Sequence, residues 1–458
     1  MIVSSAFRGR RYAVLGLARS GMASVEALLA SGAEVTAWDV REEPREALEQ
    51  RVGAGRVTFA DPLTVDLTGF DGVVVSPGVP LNTHPIAAKA RAAGVPVVGD
   101  IELFALARGD LPPHKVVGIT GTNGKSTTTA LVHHILRTAG VPTTMGGNIG
   151  LPILGQEPLT PNDRGVGVYV LELSSYQIDL TYSLDCDVAV LLNVTPDHLD
   201  RYDGFADYRA SKIRLLEMQG TDGVAIVASG ENGVAEAVLA LEAGAELTQW
   251  FGGDYAADFA VEQAGWPSLQ GPHNAQNAWA ARMACLALGL DHERIDSALR
   301  TYPGLPHRME RVGEFGGVLF VNDSKATNPA STAPAVAAYP PNPQRRLHWI
   351  VGGLPKGDDL DECAPFFGNV ACAYTIGEAG PRFAELLEAH MKVERAEMMC
   401  EAVRRAIAVA RPGDVVLLSP ACASFDQFRD YEARGDAFRR LVQALAAGKD
   451  IGTGRCAA

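Results

Sequence analysis

The sequence predicts an α/β protein built from parallel sheets flanked by helices. A short apolar run rich in Val and Ile, a glycine turn and a segment of helical periodicity follow one another repeatedly along the chain. Hydrophobic residues make up 47% of the 458 residues and charged residues 21%, which is typical of globular domains. At about 150 residues per domain, this length predicts about three domains.

The alternation is clearest at four apolar runs that end in glycine or polar turns. These runs are Tyr12–Gly16, Val116–Thr120, Leu347–Gly353 and Val415–Leu418. Strands that alternate with helices at this spacing pair in parallel. Because parallel sheets bind ligands at the carboxyl ends of their strands, the turns after these runs are candidate sites.

Two stretches rich in proline, glycine and charge interrupt the alternation. Ala107–Lys115 has the sequence ARGDLPPHK, and Tyr302–Arg308 has the sequence YPGLPHR. Both are typical of linkers. They predict three domains, at residues 1–108, 109–303 and 304–458.

Charge and cysteine content exclude several classes of protein. The chain has 54 acidic and 40 basic residues, and its net charge of −14 argues against a nucleic-acid-coating protein. Its 7 cysteines include no Cys-x-x-Cys pair, so neither a disulfide framework nor a structural zinc site is expected. With no apolar run of about 20 residues and no secretory signal, the sequence predicts a soluble cytoplasmic protein without a membrane span.

The strongest motif is GITGTNGKSTTT, from Gly118 to Thr129. A glycine turn between a strand and a helix presents backbone N–H groups and a positive helix end to phosphate. Lys125 is placed to reach the β and γ phosphates, and Ser126 or Thr127 to bind Mg²⁺. Ile119 stands where the common phosphate loop has its first glycine, so an ordinary glycine turn is the alternative.

The N-terminal motif GLARSG, from Gly16 to Gly21, resembles a dinucleotide fingerprint, and Asp39 ends the next predicted strand. Ala18 replaces the glycine that lets the backbone approach a pyrophosphate. A nucleotide other than NAD is therefore favoured, with NAD and a purely structural turn as alternatives. The turn Ser76–Gly78 either faces the same ligand or only closes a buried strand.

Polar residues at two strand ends predict a metal site in the middle of the chain. Glu172 ends the apolar run VYVLE, where a carboxylate is costly unless it is paired or metal-bound. Asp197 and His198 follow the run VAVLL. Mg²⁺ prefers carboxylate and phosphate oxygen, so His198 is equally compatible with a hydrogen-bonded structural role. Lys212, in DYRASKIRLL, has by itself the pattern of a solvated surface lysine.

The last third of the chain carries cationic and polar side chains after several strands or turns. In an acidic protein, cations at separate strand ends suggest a cleft for anions, although a solvated face is the alternative for each one. Cys422 lies between two alanines without a nearby histidine, which favours a small buried thiol. The candidates are Arg308, Asp323, Lys325, Thr327, Lys356, Ser424, Phe425, Asp430 and Tyr431.

Taken together, the motifs resemble those of the ATP-dependent Mur ligases of peptidoglycan synthesis. The runs GTNGKST, LELSSYQ, TPDHLDRY, DYRASK, HNAQNAWAA, LPHR, NDSKATN and SPACASFDQF occur in that family's order, and the resemblance covers essentially the whole chain. It implies an N-terminal Rossmann-like domain for a UDP-sugar, a central P-loop ATPase-type domain with a mostly parallel sheet, and a C-terminal Rossmann-like domain for an amino acid. NDSKATN with SPACASFDQF is typical of the member that adds D-glutamate.

The resemblance also implies a role for each candidate. At the UDP-sugar it places Arg19, Ser20, Asp39, Arg41, Ser76, Gly78 and Asn148. At ATP it places Gly121, Thr122, Asn123, Gly124, Lys125, Ser126, Thr127, Asn277, Arg308 and Asp323. At Mg²⁺ it places Ser126, Glu172, His198 and Lys212, the last carbamylated by CO₂. At D-glutamate and its phosphate it places Lys325, Thr327, Lys356, Ser424, Phe425 and Tyr431. The catalytic set is Lys125, His198, Lys212, Lys325 and Arg308.

The implied reaction is ATP-dependent addition of D-glutamate to UDP-N-acetylmuramoyl-L-alanine through an acyl phosphate, by a monomer that binds no nucleic acid. His198 and Asp197 are the candidate bases. Asp430 and Tyr431 stand where the family usually has asparagine and phenylalanine, which leaves the glutamate contacts there in doubt. The alternatives are a Mur ligase or folylpolyglutamate-type ligase for another amino acid, a P-loop switch ATPase, and a nicotinamide-dependent oxidoreductase.

Overall fold

Three β-sheets form the framework of the part of the chain that the computed structural model describes. That part comprises residues 1–197, 201–229, 246–251, 262–355 and 357–447. The chain divides into two compact units. Unit 1 is Met1–Gly265 with Pro272–Thr301, and unit 2 is Trp266–Gly271 with Tyr302–Ala458.

The first sheet belongs to unit 1 and is parallel, in the order β3-β2-β1-β4-β5. Its central strand β1 is buried along nearly its whole length, as expected for a strand with helices on both faces. The strands are β1 Arg11–Leu15, β2 Glu34–Trp38, β3 Thr58–Phe59, β4 Gly72–Val75 and β5 Val97–Val98. The helices are α1 Arg19–Ala30, α2 Glu42–Val52, α3 Ile86–Ala92 and α4 Asp100–Ala107, with 3₁₀ turns at Ser5–Phe7 and Arg108–Asp110.

The second sheet also belongs to unit 1 and is parallel, in the order β11-β10-β9-β6-β8-β7. β6 lies between β8 and β9, so the turn that follows β6 is flanked by the ends of both neighbours. The strands are β6 His114–Thr120, β7 Thr143–Gly147, β8 Gly167–Glu172, β9 Val188–Leu191, β10 Val224–Ser229 and β11 Glu246–Phe251. The helices are α5 Lys125–Thr138, α6 Ser175–Asp179, α7 Phe205–Glu217, α8 Pro272–Ala287 and α9 His292–Thr301, with a 3₁₀ turn at Ile153–Gly155.

One apolar core runs through both sheets of unit 1. It includes Val14 and Leu28 from the first sheet layer and Val116 and Leu171 from the second. The ring of Phe104 lies edge-on to Tyr169 with 5.1 Å between centroids, which joins α4 to β8. The two sheets are therefore parts of one packed body.

The third sheet forms unit 2, in the order β12-β13-β17-β14-β15-β16, and only its edge strand β12 is antiparallel to its neighbour. Apolar clusters cover both of its faces. The strands are β12 Glu310–Phe315, β13 Val318–Asn322, β14 Leu347–Gly352, β15 Val370–Ile376, β16 Lys392–Glu397 and β17 Val415–Leu418. The helices are α10 Pro329–Ala337, α11 Gly380–Leu387, α12 Met399–Val409 and α13 Tyr431–Ala446, with a 3₁₀ segment at Asp361–Asn369.

The predicted α/β class with mostly parallel sheets is confirmed, and all four apolar runs singled out in the sequence form strands. Unit 1 ends at Thr301, next to the second predicted linker. The division into three domains, with boundaries at 108/109 and 303/304, stays a prediction. Within the described ranges, every helix is too short or too polar to cross a lipid bilayer.

Candidate functional site

The glycine turn after β6 forms a tight loop at the carboxyl edge of the second sheet. Gly121 and Gly124 have φ values of +153° and +84°, which favour glycine. A Cβ on Gly124 would lie 2.2 Å from Oδ1 of Asn277, so helix α8 packs directly against the loop. Ser126 and Thr127, in the first turn of α5, are buried. The loop thus directs the N-terminal end of α5 towards the sheet edge, as phosphate binding requires.

Asn193, just after β9, fixes the shape of this loop. Its carbonyl accepts a hydrogen bond from the Thr122 amide at 2.9 Å, and its Oδ1 accepts one from the Asn123 amide at 2.8 Å. Its Nδ2 donates to the Asn123 carbonyl at 3.1 Å. Asn193 is not among the residues predicted from the sequence, although it follows the apolar run VAVLL. The signal was a polar side chain at the end of a buried strand.

Two lysines meet at one carbonyl of the loop. Nζ of Lys125 donates to the carbonyl oxygens of Gly121 at 2.9 Å and Thr122 at 2.8 Å. Nζ of Lys212, on α7, donates to the same Gly121 oxygen at 2.9 Å. Lys212 is only 1% exposed, so the structure corrects the solvated surface pattern that its local sequence suggests.

The surroundings of Lys212 oppose its positive charge. Burial, together with the charge of Lys125, lowers the pKa of Lys212 to about 7. Its Nζ lies 4.7 Å from the ring centroid of Tyr208, whose Oη is within 3.2 Å of the Thr122 hydroxyl. Near neutral pH a large fraction of Lys212 is therefore a neutral amine, which is the nucleophilic form.

Glu172 ends β8 beside the loop and is 2% exposed. Its Oε1 accepts a hydrogen bond from Nδ2 of Asn148 at 3.0 Å, and its Oε2 is buried without a hydrogen-bond partner. A buried carboxylate oxygen in this state is costly unless a cation completes its shell. Asn148 follows β7, and its amide also donates to the Glu172 carbonyl at 2.8 Å.

The remaining predicted metal ligand, His198, lies outside the described residues. Among the residues that are described, no group of three or more His, Cys, Asp or Glu side chains has the arrangement of a metal site. Asp197 lies within the described residues and is exposed. Its negative charge raises the pKa of Lys212 and so opposes part of the effect of burial. Three of the four predicted Mg²⁺ ligands therefore lie within the described residues: Ser126, Glu172 and Lys212.

A narrow pocket lies between β9 and α8. It is lined by Leu192, Asn193, Asn277 and Trp279, among others. Asn277 is buried, and its Oδ1 accepts from the Thr128 hydroxyl at 3.3 Å. Asn277, which was predicted to bind ATP, therefore lines a pocket beside the glycine loop.

In the first sheet, Asp39 joins the turns that follow β1 and β2. Its Oδ2 accepts from the Leu17 amide at 2.8 Å and its Oδ1 from the Arg41 amide at 3.0 Å. Burial alone would raise the pKa of Asp39, but these two hydrogen bonds and the Arg41 charge outweigh it and lower the pKa. Both carboxylate oxygens are therefore engaged in shaping the turns.

The other N-terminal candidates lie close to this pair of turns. The Ser76 hydroxyl donates to the Gly16 carbonyl at 3.0 Å, so the turn after β4 packs on the turn after β1. Ser20 is the second residue of α1, whose N-cap, Ala18, makes no side-chain cap hydrogen bond. The side chain of Arg41 is 67% exposed.

Two arginines connect these turns to the second sheet. Nη2 of Arg19 donates to the Gly150 carbonyl at 2.8 Å, close to Asn148 in the chain. Nη2 of Arg201 donates to the Gly78 carbonyl at 3.1 Å. The N-terminal turns and the edge that carries Glu172 are therefore held in fixed relation.

In unit 2, Asp323 follows β13 and is 4% exposed. Its Oδ2 accepts from the Ser419 hydroxyl at 2.7 Å and its Oδ1 from the Met309 amide at 3.1 Å. Burial raises the pKa of Asp323 to about 6, against the opposing effects of the Ser419 hydrogen bond and the Arg308 charge. Asp323 thus ties the strand end to the LPHRME segment.

Arg308 lies between two residues in the left-handed region, His307 at φ +62° and Met309 at φ +45°. Such conformations are uncommon outside glycine and are typical of functional segments. Nε of Arg308 is buried without a hydrogen-bond partner. The Lys325 amide donates to the His307 carbonyl at 2.9 Å, so the LPHR and NDSK motifs lie together.

Arg434, on α13, is buried and makes several hydrogen bonds, but it was not predicted from the sequence. Its guanidinium donates to the Ser324 hydroxyl at 2.9 Å and to the carbonyls of Ser324, Ala423 and Cys422 at 2.8, 3.1 and 3.0 Å. It thereby binds the NDSK turn to the SPACAS loop. Cys422 is itself buried, as predicted. Arg434 follows the SPACASFDQF motif, but only the fold reveals its partners.

The glutamate candidates lie on these segments. Ser424 is buried, Phe425 is 68% exposed, and Thr327 and Tyr431 are half-buried. Lys356 lies outside the described residues. Asp430 caps α13, because its Oδ1 accepts from the Ala433 amide at 2.6 Å. Its extra charge relative to asparagine is thus placed at a positive helix end.

Three family models match the chain. They are the Mur ligase MurD-like N-terminal domain at residues 10–99, the Mur ligase middle domain at 119–285, and the Mur ligase glutamate ligase domain at 307–422. Together they include the described candidates of both units, with the exceptions of Ser424, Phe425, Asp430 and Tyr431.

Curated relatives resemble the chain over nearly its full length. A Novosphingobium aromaticivorans protein named UDP-N-acetylmuramoylalanine–D-glutamate ligase is 66% identical over 445 residues, which is 97% of each chain. Proteins of the same name are 61% identical in Sphingopyxis alaskensis, over 98% of this chain and 100% of that protein, and 54% identical in Zymomonas mobilis, over 97% and 100%.

Solved structures with lower identity share the fold. UDP-N-acetylmuramate-alanine ligase from Thermotoga maritima is 16% identical, with a TM-score of 0.56 over 96% of this chain and 100% of that one. The structure of E. coli FolC in complex with DHPP and ADP is 20% identical, with a TM-score of 0.53 over 77% of this chain and 93% of that one. At these identities the likeness concerns the fold alone.

Proposed function

The chain belongs to the Mur ligase family, and we propose that it joins D-glutamate to UDP-N-acetylmuramoyl-L-alanine with ATP as the energy source. The observation that carries this proposal is the 66% identity with a relative named for that activity, over 97% of both chains. The activity is that of an acid–amino-acid ligase in peptidoglycan precursor synthesis. The geometry of the phosphate loop and of the strand ends in unit 2 supports it.

ATP and Mg²⁺ fit the residues at the edge of the second sheet. The loop from Gly121 to Gly124 and the N-terminus of α5 suit phosphate oxygens, and the base of ATP is proposed to lie on the side of the loop where Asn277 packs. The unpartnered Oε2 of Glu172 and the hydroxyl of Ser126 are hard oxygen ligands that suit Mg²⁺. Bound Mg²⁺ would neutralise part of the phosphate charge. His198 is proposed as a further ligand.

The proposed reaction has two steps, and the chain contributes mainly position and charge to the first. A carboxylate oxygen of UDP-N-acetylmuramoyl-L-alanine attacks the γ-phosphorus of ATP, which gives an acyl phosphate and ADP. Lys125 would stabilise the negative charge of the transferred group from the loop. Releasing its ammonium from the carbonyls of Gly121 and Thr122 would let it turn to the phosphates.

In the second step the amine of D-glutamate, as the free base, attacks the acyl carbon. The C–N bond forms, phosphate leaves with the C–O bonding pair, and the amine gives up a proton to a base. His198 and Asp197 are the candidate bases. Lys325, Thr327, Lys356, Ser424, Phe425 and Tyr431 are proposed to hold the amino acid, and Arg308 and Asp323 to meet the ribose and phosphates of ATP.

The N-terminal turns are proposed to bind the UDP end of the substrate. The fixed carboxylate of Asp39 orders both turns, and the exposed guanidinium of Arg41 beside it suits an anionic nucleotide. Arg19, Ser20, Ser76 and Gly78 are proposed to bind the same part of the substrate. Asn148 is proposed to meet the sugar or peptide part.

Lys212 is proposed to become a carbamate. Its neutral amine would attack CO₂ and lose a proton, which leaves an anionic carbamate beside the phosphate loop. Its 1% exposure and its lowered pKa support this. A ¹³C-bicarbonate incubation should give a carbamate carbon resonance that is missing in Lys212→Met. Loss of activity when CO₂ is removed, and its recovery when bicarbonate is added, would support carbamylation. Absence of the resonance together with activity that does not depend on CO₂ would contradict it.

The decisive experiment measures phosphate release from MgATP with UDP-N-acetylmuramoyl-L-alanine and single amino acids, omitting one component at a time. Release that needs both the nucleotide-sugar and D-glutamate, with a product heavier by one glutamyl residue, is expected. Release supported by another amino acid would favour a related ligase. Release from ATP alone would favour the switch ATPase. A monomeric state and a cytoplasmic location are also proposed.

A further inference from the structure

The loop Ser424–Phe428 forms a closed turn after β17. The amides of Gln427 and Phe428 donate to the Ser424 carbonyl at 3.1 and 2.8 Å. Ser424 is 2% exposed, whereas the side chain of Phe425 beside it is 68% exposed. The turn therefore presents the aromatic ring of Phe425 to solvent next to the buried hydroxyl of Ser424. The relative position of these two side chains depends on the conformation of the loop.

Asp426 anchors this loop to the turn that follows β15. Its Oδ2 accepts a hydrogen bond from the Glu378 amide at 3.2 Å. A Cβ on Gly377, which has φ +66°, would lie only 2.1 Å from the same oxygen. The carboxylate thus fills the room that any side chain at position 377 would need.

Gln427 makes a second anchor to the same corner. Its Nε2 donates to the Glu397 carbonyl at 2.7 Å, and that carbonyl also accepts from the Gly377 amide at 2.9 Å. Glu397 has φ +63°, an uncommon conformation for a residue other than glycine. Consecutive side chains of the loop therefore bind a single corner, made by the ends of β15 and β16.

We propose that Asp426 is a positioning residue for the amino-acid substrate: by anchoring loop 424–428 to the Gly377 turn, it places Ser424 and Phe425 for D-glutamate. This inference rests on the proposed function. A loop held by two side-chain anchors loses little further freedom when the substrate binds, so the anchors lower the cost of binding. Asp426 acts through the loop and need not touch the substrate.

The test compares Asp426→Ala with Asp426→Asn in the full-length protein. Because misplacement by about 1 Å can cost up to about 100-fold, Asp426→Ala should raise KM for D-glutamate by about tenfold or more. KM for ATP and for the nucleotide-sugar should stay as in the unaltered protein. Asp426→Asn keeps an acceptor oxygen for the Glu378 amide and should restore most of the affinity.

The matched control is Asp414→Asn. Asp414 accepts the Arg411 amide at 2.7 Å and precedes β17, at the opposite end of that strand from the loop. This variant should lower the melting temperature without changing KM for D-glutamate. The proposal is overturned if Asp426→Ala leaves the KM for D-glutamate unchanged. It is also overturned if Asp426→Ala and Asp414→Asn change the KM values for D-glutamate, ATP and the nucleotide-sugar alike. Failure of the unaltered protein to use D-glutamate would instead overturn the proposed function.

Discussion

The ammonium groups of Lys125 and Lys212 donate to one acceptor, the carbonyl oxygen of Gly121, and each does so across 2.9 Å. Like charges brought this close repel, and the more buried lysine has the lowered pKa. The Nζ atoms of two lysines therefore converge on one loop, a position at which an anionic ligand is favoured.

Replacing Lys212 should change stability in a pH-dependent manner. The pKa of Lys212 falls from 10.5 to about 7 on folding, so the unfolded chain binds more protons between these values and stability rises with pH across that window. Lys212→Met should therefore melt higher than the unaltered protein at pH 6, by the order of a few degrees. The difference should shrink towards pH 9. A gain that does not vary with pH would contradict the assigned titration.

Removing the charge of Glu172 should weaken the use of Mg²⁺. Glu172→Gln keeps the hydrogen-bonding shape but leaves a neutral oxygen where Oε2 has no partner. The Mg²⁺ concentration for half-maximal ATP turnover should rise by about 10- to 100-fold. Glu157→Gln is the control, because Glu157 is 90% exposed in a terminal ion pair. An unchanged Mg²⁺ requirement would remove Glu172 from the metal site.

Asp323 should make the free energy of unfolding depend on pH in the opposite direction from an ordinary ion-paired carboxylate. Its folded pKa of about 6 lies above the usual 3.8, so between these values the folded state binds more protons and stability falls as pH rises. The free energy of unfolding relative to Asp323→Asn should therefore decrease from pH 4 to pH 6. Denaturant titrations at several pH values measure this, and parallel curves for the two proteins would refute it.

Arg434 should be hard to replace. Arg434→Lys cannot reach all four acceptors and leaves buried carbonyls unsatisfied, at a cost of at least about 3 kcal/mol in the free energy of unfolding. Arg440→Lys, at an exposed position on the same helix, should be nearly neutral. Urea unfolding of the two variants distinguishes them. Equal stability would mean that the four contacts contribute little.

The sequence allowed the strand ends to be predicted because apolar runs and glycine turns are local patterns. Asn193 and Arg434 were not predicted, because folding alone brings them together with their hydrogen-bond partners. No spacing between residues in the chain indicates these contacts. Lys212 illustrates the same limit, since its helix pattern suggests solvent while its neighbours bury it. Asp430 is different: an aspartate before a helical segment is a local capping signal that was available.

The shared core of the first two sheets has a consequence for the interpretation of mutants. Residues from Ile2 to Val227 contribute to one apolar cluster, so the core beneath the turns after β1 and β2 also supports the glycine loop after β6. A substitution under Asp39 can slow ATP turnover by loosening that frame, far from any phosphate. Kinetic defects in N-terminal variants therefore identify a contact with ATP only when the melting temperature is unchanged.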